Sequence, residues 1–507
     1  MYDLSILLLI SFAGAAITFF AGAKARWVAL VTSVGTLAMS MWFLGTFLNG
    51  NPLDYRFVES YHWLTFATTN GGSLAVNYTV GIDGISLPFL FLSAILSVAT
   101  VIYHWEERKD AAGFFGLVAL TNAGLLGVFV SLDVLLFFVF WEVVLIPMFF
   151  LIGHWGGPRR HYASLKFFVY THVASVVMLV SLLAVVFLGQ WPSLDFVNLA
   201  NNSQGVANLD AANILPATQV VLFGALFFGF GVKLPMVPFH TWLPDAHVEA
   251  PTGGSVLLAG MLLKMGGYGL IRLAFPLLPA GHVGLEPVVL VIAFISIVWG
   301  AFLSLSQRDM KRLVAYSSIN HMGIVLLAIA LWTQLSVTAA VLLMFAHGLV
   351  SGLLFMLSGS VHHTFGTRDI PSISGMNSRT PALTTILMIG SLASLGLPAL
   401  VSFPAEFSAL LATWEALGWW IILPLLALVI TAAFYLWMIQ RMAFGPPRGV
   451  PDTAHDLPTH ELLAMVLLVS LIVLYGILPF LIVTYIPHTA IFVGCHYGGP
   501  GVCPTSP

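Results

Sequence analysis

The sequence predicts an all-α polytopic membrane protein with fourteen transmembrane helices, including two inverted five-helix repeats that each contain a broken helix. Three observations carry this prediction. Of 507 residues, 59% are hydrophobic and only 8% charged, whereas a soluble domain carries roughly 25% charged residues. Apolar runs of bilayer-crossing length, about 20 residues, recur along the chain. Prolines interrupt two of these runs, at Pro235 and Pro238 and again at Pro398 and Pro404. The chain reads as a single membrane domain over 1–507, with a C-terminal tail at 487–507.

In chain order the spans fall near 4–20, 27–48, 84–104, 113–131, 133–153, 163–189, 217–240, 252–273, 288–306, 313–332, 337–361, 382–413, 418–440 and 462–486. The first has only Asp3 before it, with Lys24 and Arg26 after it. A signal peptide starts positive, so this run reads as a retained span with its N-terminus outside the cytoplasm. Segments 113–278 and 288–441 read as the two repeats.

Basic residues test the count. Lys24, Arg26, Arg108, Lys109, Arg159, Arg160, Lys166, Arg308, Lys311, Arg312, Arg368, Arg379, Arg441 and Arg448 follow odd-numbered spans, which is 14 of 18. Only Arg56 and Arg272 follow even-numbered ones. Cytoplasmic loops collect lysine and arginine, so odd loops are expected in the cytoplasm and both termini on the other side. The expected location is a bacterial inner membrane.

Lys233 and Lys264 fit no loop. With Glu142, His321 and His347 they lie inside spans, and Glu406 lies beside a helix break. At 1.5 Å per residue Glu142 is roughly 13 Å into its helix. A charge at that depth costs about 2.5–3.5 kcal/mol and usually marks a proton or ion path. Pairing as structural glue is the competing reading, and for either histidine a simple hydrogen bond between helices competes evenly. A dry lysine loses its proton readily, and a nearby carboxylate restores it. Glu142 and Lys233 are therefore expected to form a switchable pair, with Lys264, His321 and His347 as relays and Glu406 as exit acid. The breaks repeat this logic. Interrupted helices in matching positions of two halves point to an ion site. Glu142 and Lys233 are 91 positions apart, His321 and Glu406 85.

Other features carry less. The segment from His240 to Glu249 reads as an outer-face loop that fixes the broken helix or assists proton exit, the structural role being favoured. His172 either lines an input route or is a satisfied core histidine, the latter favoured. Asp133 reads as a helix start. No CxxC, HExxH, GxGxxG or P-loop pattern occurs, so no redox centre, zinc or nucleotide site is indicated, and the net charge of −3 argues against a nucleic-acid surface. Cys495 and Cys503 are expected on the oxidising side, where they could close a small disulfide loop.

Four segments carry a resemblance: VGIDGISLPF (Val80–Phe89), FFVFWEVVLIPMFFLIG (Phe137–Gly153), VKLPMVPFHTWLPDAHVEAPTGGSVLLAGMLLKMGGYGLIR (Val232–Arg272) and SQRDMKRLVAYSSINHMG (Ser306–Gly323). Together they resemble the antiporter-like subunits of respiratory complex I, in particular the M-type branch, the counterpart of mitochondrial chain 4. The sister L-type and N-type chains place lysine where this chain has Glu406. The resemblance implies proton translocation through Glu142, Lys233, Lys264, His321, His347 and Glu406. It implies no cofactor in this chain, with NADH, FMN, iron–sulfur clusters and quinone in partner subunits, and L-type and N-type chains as neighbours in the bilayer. An antiporter subunit of a multisubunit Na⁺/H⁺ exchanger and a membrane chain of a hydrogenase-type complex are the alternatives.

Overall fold

Long apolar segments cannot leave backbone groups unpaired in lipid, so they form helices. The computed structural model describes residues 3–48, 55–67, 73–195, 213–451 and 454–486. The expected Cys495–Cys503 bond lies outside them. The helices are α1 Asp3–Phe20, α2 Ala25–Leu48, α3 Ser86–Tyr103, α4 Ala111–Val130, α5 Val134–Trp155, α6 Arg160–Leu188, α7 Pro216–Lys233 and α8 Trp242–Glu249. They continue as α9 Thr252–Leu277, α10 Pro279–Leu305, α11 Met310–Leu331, α12 Gln334–Phe365, α13 Pro381–Ser394, α14 Ser402–Leu417, α15 Ile422–Ala443 and α16 Thr459–Ile477.

Thirteen helical stretches among the described residues are long and apolar enough to cross a membrane, and α13 is a shorter apolar helix. One stretch, Ser402–Ala443, turns at Gly418 (φ +58) from α14 into α15. With α7 and α8 as one broken span and α13 and α14 as another, chain order reproduces the fourteen expected crossings. In each run of five spans, α4 to α9 and α10 to α15, the fourth is the broken one.

Loop contacts sort into two faces. On one, Arg26 donates to Trp105 O at 3.2 Å, Lys109 Nζ to His154 O at 2.7 Å, and Gly157 N to Glu249 O at 2.8 Å. On the other, Ala75 bridges Ser193 and Val80 bridges Ser131. The basic loops gather on the first face. The helices at the centre of the molecule are sealed: α9, α11 and α12 are buried almost throughout, while α1, α2, α10 and α16 turn apolar faces outward.

Two sequence expectations need correction, and the linker after α2 holds strands. Strands β1 Arg56–Ala67 and β2 Ser73–Ile82 pair antiparallel, which adds a hairpin to the all-α prediction. The segment from His240 to Glu249 is not an outer-face loop. After the break it forms α8, which completes the seventh crossing and ends against Gly157 on the basic-loop face. Arg272 is not in a loop either. It is buried within α9, ion-paired to Asp83 with no distance to spare, and donates to Tyr55 Oη at 3.0 Å. A buried pair of this kind tolerates no loss of one partner.

Candidate functional site

Each broken span ends its first half on a residue the site uses. Lys233 is the last residue of α7, where the negative end of the helix dipole favours a cation. The indole Nε1 of Trp242 donates to the freed Val232 carbonyl at 3.0 Å, and Val237 N donates to Ser296 Oγ at 3.0 Å. A side chain at Gly266 would meet Phe230 O at 2.6 Å and Leu234 N at 2.7 Å, so glycine there lets α9 press directly against the break. In the second broken span, Ser394 ends α13 and its carbonyl accepts from His321 Nε2 at 3.0 Å. Gly396 then takes φ +75, and a Cβ at that position would collide with Glu406 Oε2.

The predicted residues form one continuous row and one separate pair. Lys264 lies on α9 between two π-helical turns, Leu258–Leu262 and Leu270–Ala274, a feature frequent at functional sites. Its ammonium donates to the Ala259 carbonyl, which the π-turn leaves facing it, and lies 2.7 Å from His347 Nδ1. An ammonium has no acceptor capacity, so when Lys264 is charged Nδ1 receives as the bare nitrogen of a neutral ring. The His347 and His321 ring centroids are 5.4 Å apart. His321 Nε2 is 3.6 Å from Glu406 Oε1. Lys264, His347, His321 and Glu406 are each at most 5% exposed.

His321 faces acceptors on both sides: Ser317 O lies 2.8 Å from Nδ1 and Ser394 O 3.0 Å from Nε2. Only a doubly protonated ring donates to both. The geometry therefore suits an imidazolium beside the Glu406 carboxylate. It equally suits a chain of groups that differ by one movable proton.

Glu142 and Lys233 are not joined here. Glu142 Oε2 is 3.0 Å from His172 Nδ1. Lys233 Nζ has no hydrogen-bond partner among the described residues and stands 4.7 Å from the Trp141 ring centroid. Such a desolvated cation–π contact is worth roughly 2 kcal/mol. His172, favoured from sequence as a core residue, has a side chain 45% exposed. It faces outward, and the structure pairs it with Glu142. His240 sits in the break, buried, with Nδ1 unpartnered among the described residues.

Sequence reasoning missed other buried polar groups. Lys311, counted as a loop residue, is 3% exposed and donates to Ala250 O at 2.6 Å. Glu461 accepts from Ser360 and from His363, the latter at 3.0 Å. His247 stacks on Phe355 at 4.4 Å, and neither ring nitrogen has a partner among the described residues. Asp83 lay in a quoted motif, but nothing local signalled its partner Arg272, 189 positions away. Asp133 caps α5 as expected, accepting from Leu135 N and Leu136 N at 2.8 and 3.0 Å. Among the described residues no group of three His, Cys, Asp or Glu side chains is placed to hold a metal ion.

The family model described as "NADH:quinone oxidoreductase/Mrp antiporter, TM" matches residues 131–434. Subunit M of the F420H2 dehydrogenase of Methanosarcina mazei is 38% identical, over 94% of each chain. Subunit M of the NADH-quinone oxidoreductase of Rhodobacter capsulatus is 37% identical, over 90% of this chain and 88% of that one. Among solved structures, a chain of respiratory complex I from Thermus thermophilus superposes with a TM-score of 0.86 at 26% identity, covering 98% of this chain and all of that one. The Mrp complex from Dietzia shares the fold alone, with a TM-score of 0.82 at 17% identity. The chain belongs to the NADH:quinone oxidoreductase/Mrp antiporter transmembrane family.

Proposed function

We infer that this chain is the M-type, proton-translocating membrane subunit of a complex I-type quinone oxidoreductase. The observation that carries the reading is the sealed row Lys264–His347–His321–Glu406, four ionisable side chains within direct or near-direct proton-transfer reach at the centre of an apolar molecule. Residues so costly to bury persist where they work. The electron donor is NADH or a related carrier, and FMN, iron–sulfur clusters and quinone belong to partner subunits.

The proposed translocation runs along this row. His321, protonated on both nitrogens, first gives a proton to Glu406; a proton from Lys264 then enters His347 at its bare Nδ1, and the proton on Nε2 of that ring refills His321. Glu142 engaged with His172 leaves Lys233 unpaired. Rotation of Glu142 toward Lys233 would hold the lysine charged, and its departure would release that proton toward Lys264. Redox chemistry elsewhere drives this exchange. Because moving one charge against 100 mV costs about 2.3 kcal/mol, the two arrangements must not be open to both sides at once.

The segments 113–278 and 288–441 act as inverted repeats. α4 starts on the basic-loop face and α10 on the opposite one. Glu142, His172 and Lys233 on the second to fourth spans of one repeat then correspond to His321, His347 and Glu406 on those of the other. The partly exposed Glu142–His172 pair is too costly to leave in lipid. It marks the flank covered by an L-type or N-type neighbour. The basic-loop face lies in the cytoplasm of a bacterial cell, with both termini on the other side of its inner membrane.

The test is made in the assembled complex. Glu142→Ala and Lys233→Ala should assemble and lose most coupled pumping. Glu406→Lys, which installs the residue used by sister chains, should keep partial activity, and Glu406→Ala should keep less. Parental pumping in all four variants would overturn the reading.

A further inference from the structure

The sealed row needs a proton supply. A cavity of about 860 Å³ opens on the basic-loop face, with Glu249, Lys311, His362 and Glu461 among its walls. A second, small space of about 10 Å³, near the lower limit for one water, has Val314, Ser317, His321, His347, Ser351 and Leu354 among its walls. Both lie on the seam between α11 and α12.

Little separates them. Along α11, Lys311 of the large cavity is three residues from Val314 of the small one, about 4.5 Å of helix. Along α12, His347, Ser351, Leu354, Ser358 and His362 follow at spacings of four and three, which puts them on one face. Ser351 and Ser358 are 3% and 0% exposed, and neither hydroxyl has a partner among the described residues. A buried hydroxyl without a partner costs about 1–3 kcal/mol, and water resolves that cost. Most other serines on the buried helices bond back to their own backbone, as Ser317 and Ser318 do to Val314 O. The two open hydroxyls are therefore candidate water sites between the two cavities. Lys311, a buried cation held by Ala250 O, stands at the junction.

We propose that the α11–α12 seam is a proton inlet. Charged Lys311 passes a proton from Nζ to water held by Ser358 and Ser351, which delivers it to His347 and His321, and the neutral amine is then reprotonated through water in the large cavity. This rests on the proton-path reading above and adds its source.

Three variants of the assembled complex in sealed vesicles test it. Lys311→Arg keeps charge and donors but cannot release its proton. It should assemble and pump at least fivefold more slowly. The double variant Ser351→Ala/Ser358→Ala removes two unsatisfied hydroxyls, which a purely structural role would make neutral or stabilising. It should be as stable as the parent and pump at least threefold more slowly. Lys264→Ala should not pump. Both inlet variants within 1.5-fold of the parent, with Lys264→Ala inactive, would overturn the inlet and leave the path standing. Undiminished pumping in Lys264→Ala would overturn both. Should Lys311→Arg fail to assemble, the serine variant decides alone.

Discussion

Replacing His347 by leucine removes the one group that links Lys264 to His321. In the native row Lys264 Nζ is 2.7 Å from His347 Nδ1, and the two imidazoles are 5.4 Å centroid to centroid. Without the ring, Lys264 loses its side-chain partner on the way to His321. Leucine fills the space and holds no proton. It also leaves the Lys264 ammonium with Ala259 O as its remaining hydrogen-bond acceptor. A hydrogen bond to a charged group contributes roughly 1.5–3 kcal/mol, so Lys264 also loses a contact worth a factor of about ten or more. Both effects act together, and coupled pumping should fall at least tenfold. His347→Ala should do less damage, because two waters can span the vacated gap. The assay is the rate of vesicle acidification driven by electron donor, normalised to the amount of assembled complex. Pumping by His347→Leu within twofold of the parent would refute the row as the path.

Two further predictions follow from the site's supports. Gly396→Ala changes no charge, yet its Cβ would strike Glu406 Oε2 at a backbone angle of φ +75. Pumping should drop several-fold, and Gly418→Ala, also at positive φ but with nothing near its Cβ, should show assembly loss at most. Arg272→Ala leaves Asp83 buried without its ion-pair partner, a loss of about 3–5 kcal/mol. The complex should be depleted from membranes, as blue-native electrophoresis would show. Asp83→Asn/Arg272→Gln should recover part of it, and full recovery by Arg272→Ala alone would contradict the structural assignment.

The crossings and the burial of Lys233, Lys264, His321, His347 and Glu406 were legible because lipid imposes a one-dimensional rule. Twenty apolar residues cross, and a lysine among them, such as Lys264, stands out without knowledge of its partners. The breaks were legible for the same reason, through Pro235, Pro238, Pro398 and Pro404. What escaped the sequence depends on contacts between distant segments. The His240–Glu249 stretch carries Pro244, Asp245 and Glu249 and so reads as loop, although the break lies before it and α8 follows. Arg272 looks like a loop charge until Asp83 comes to meet it. Lys311 counts equally well as a loop residue or a buried one, since it begins α11. The β1–β2 hairpin sits in a stretch whose polar residues are those of an ordinary linker. That Glu142 meets His172 rather than Lys233 depends on a rotamer, which no spacing encodes.

The most direct test of the central claim is the ratio of protons moved to electrons transferred in vesicles carrying the Lys264→Ala complex. Lys264 heads the row that runs through His347 and His321 to Glu406, so the assembled variant should transfer electrons without moving protons or lose both fluxes. Parental electron flow at the parental proton ratio would contradict it.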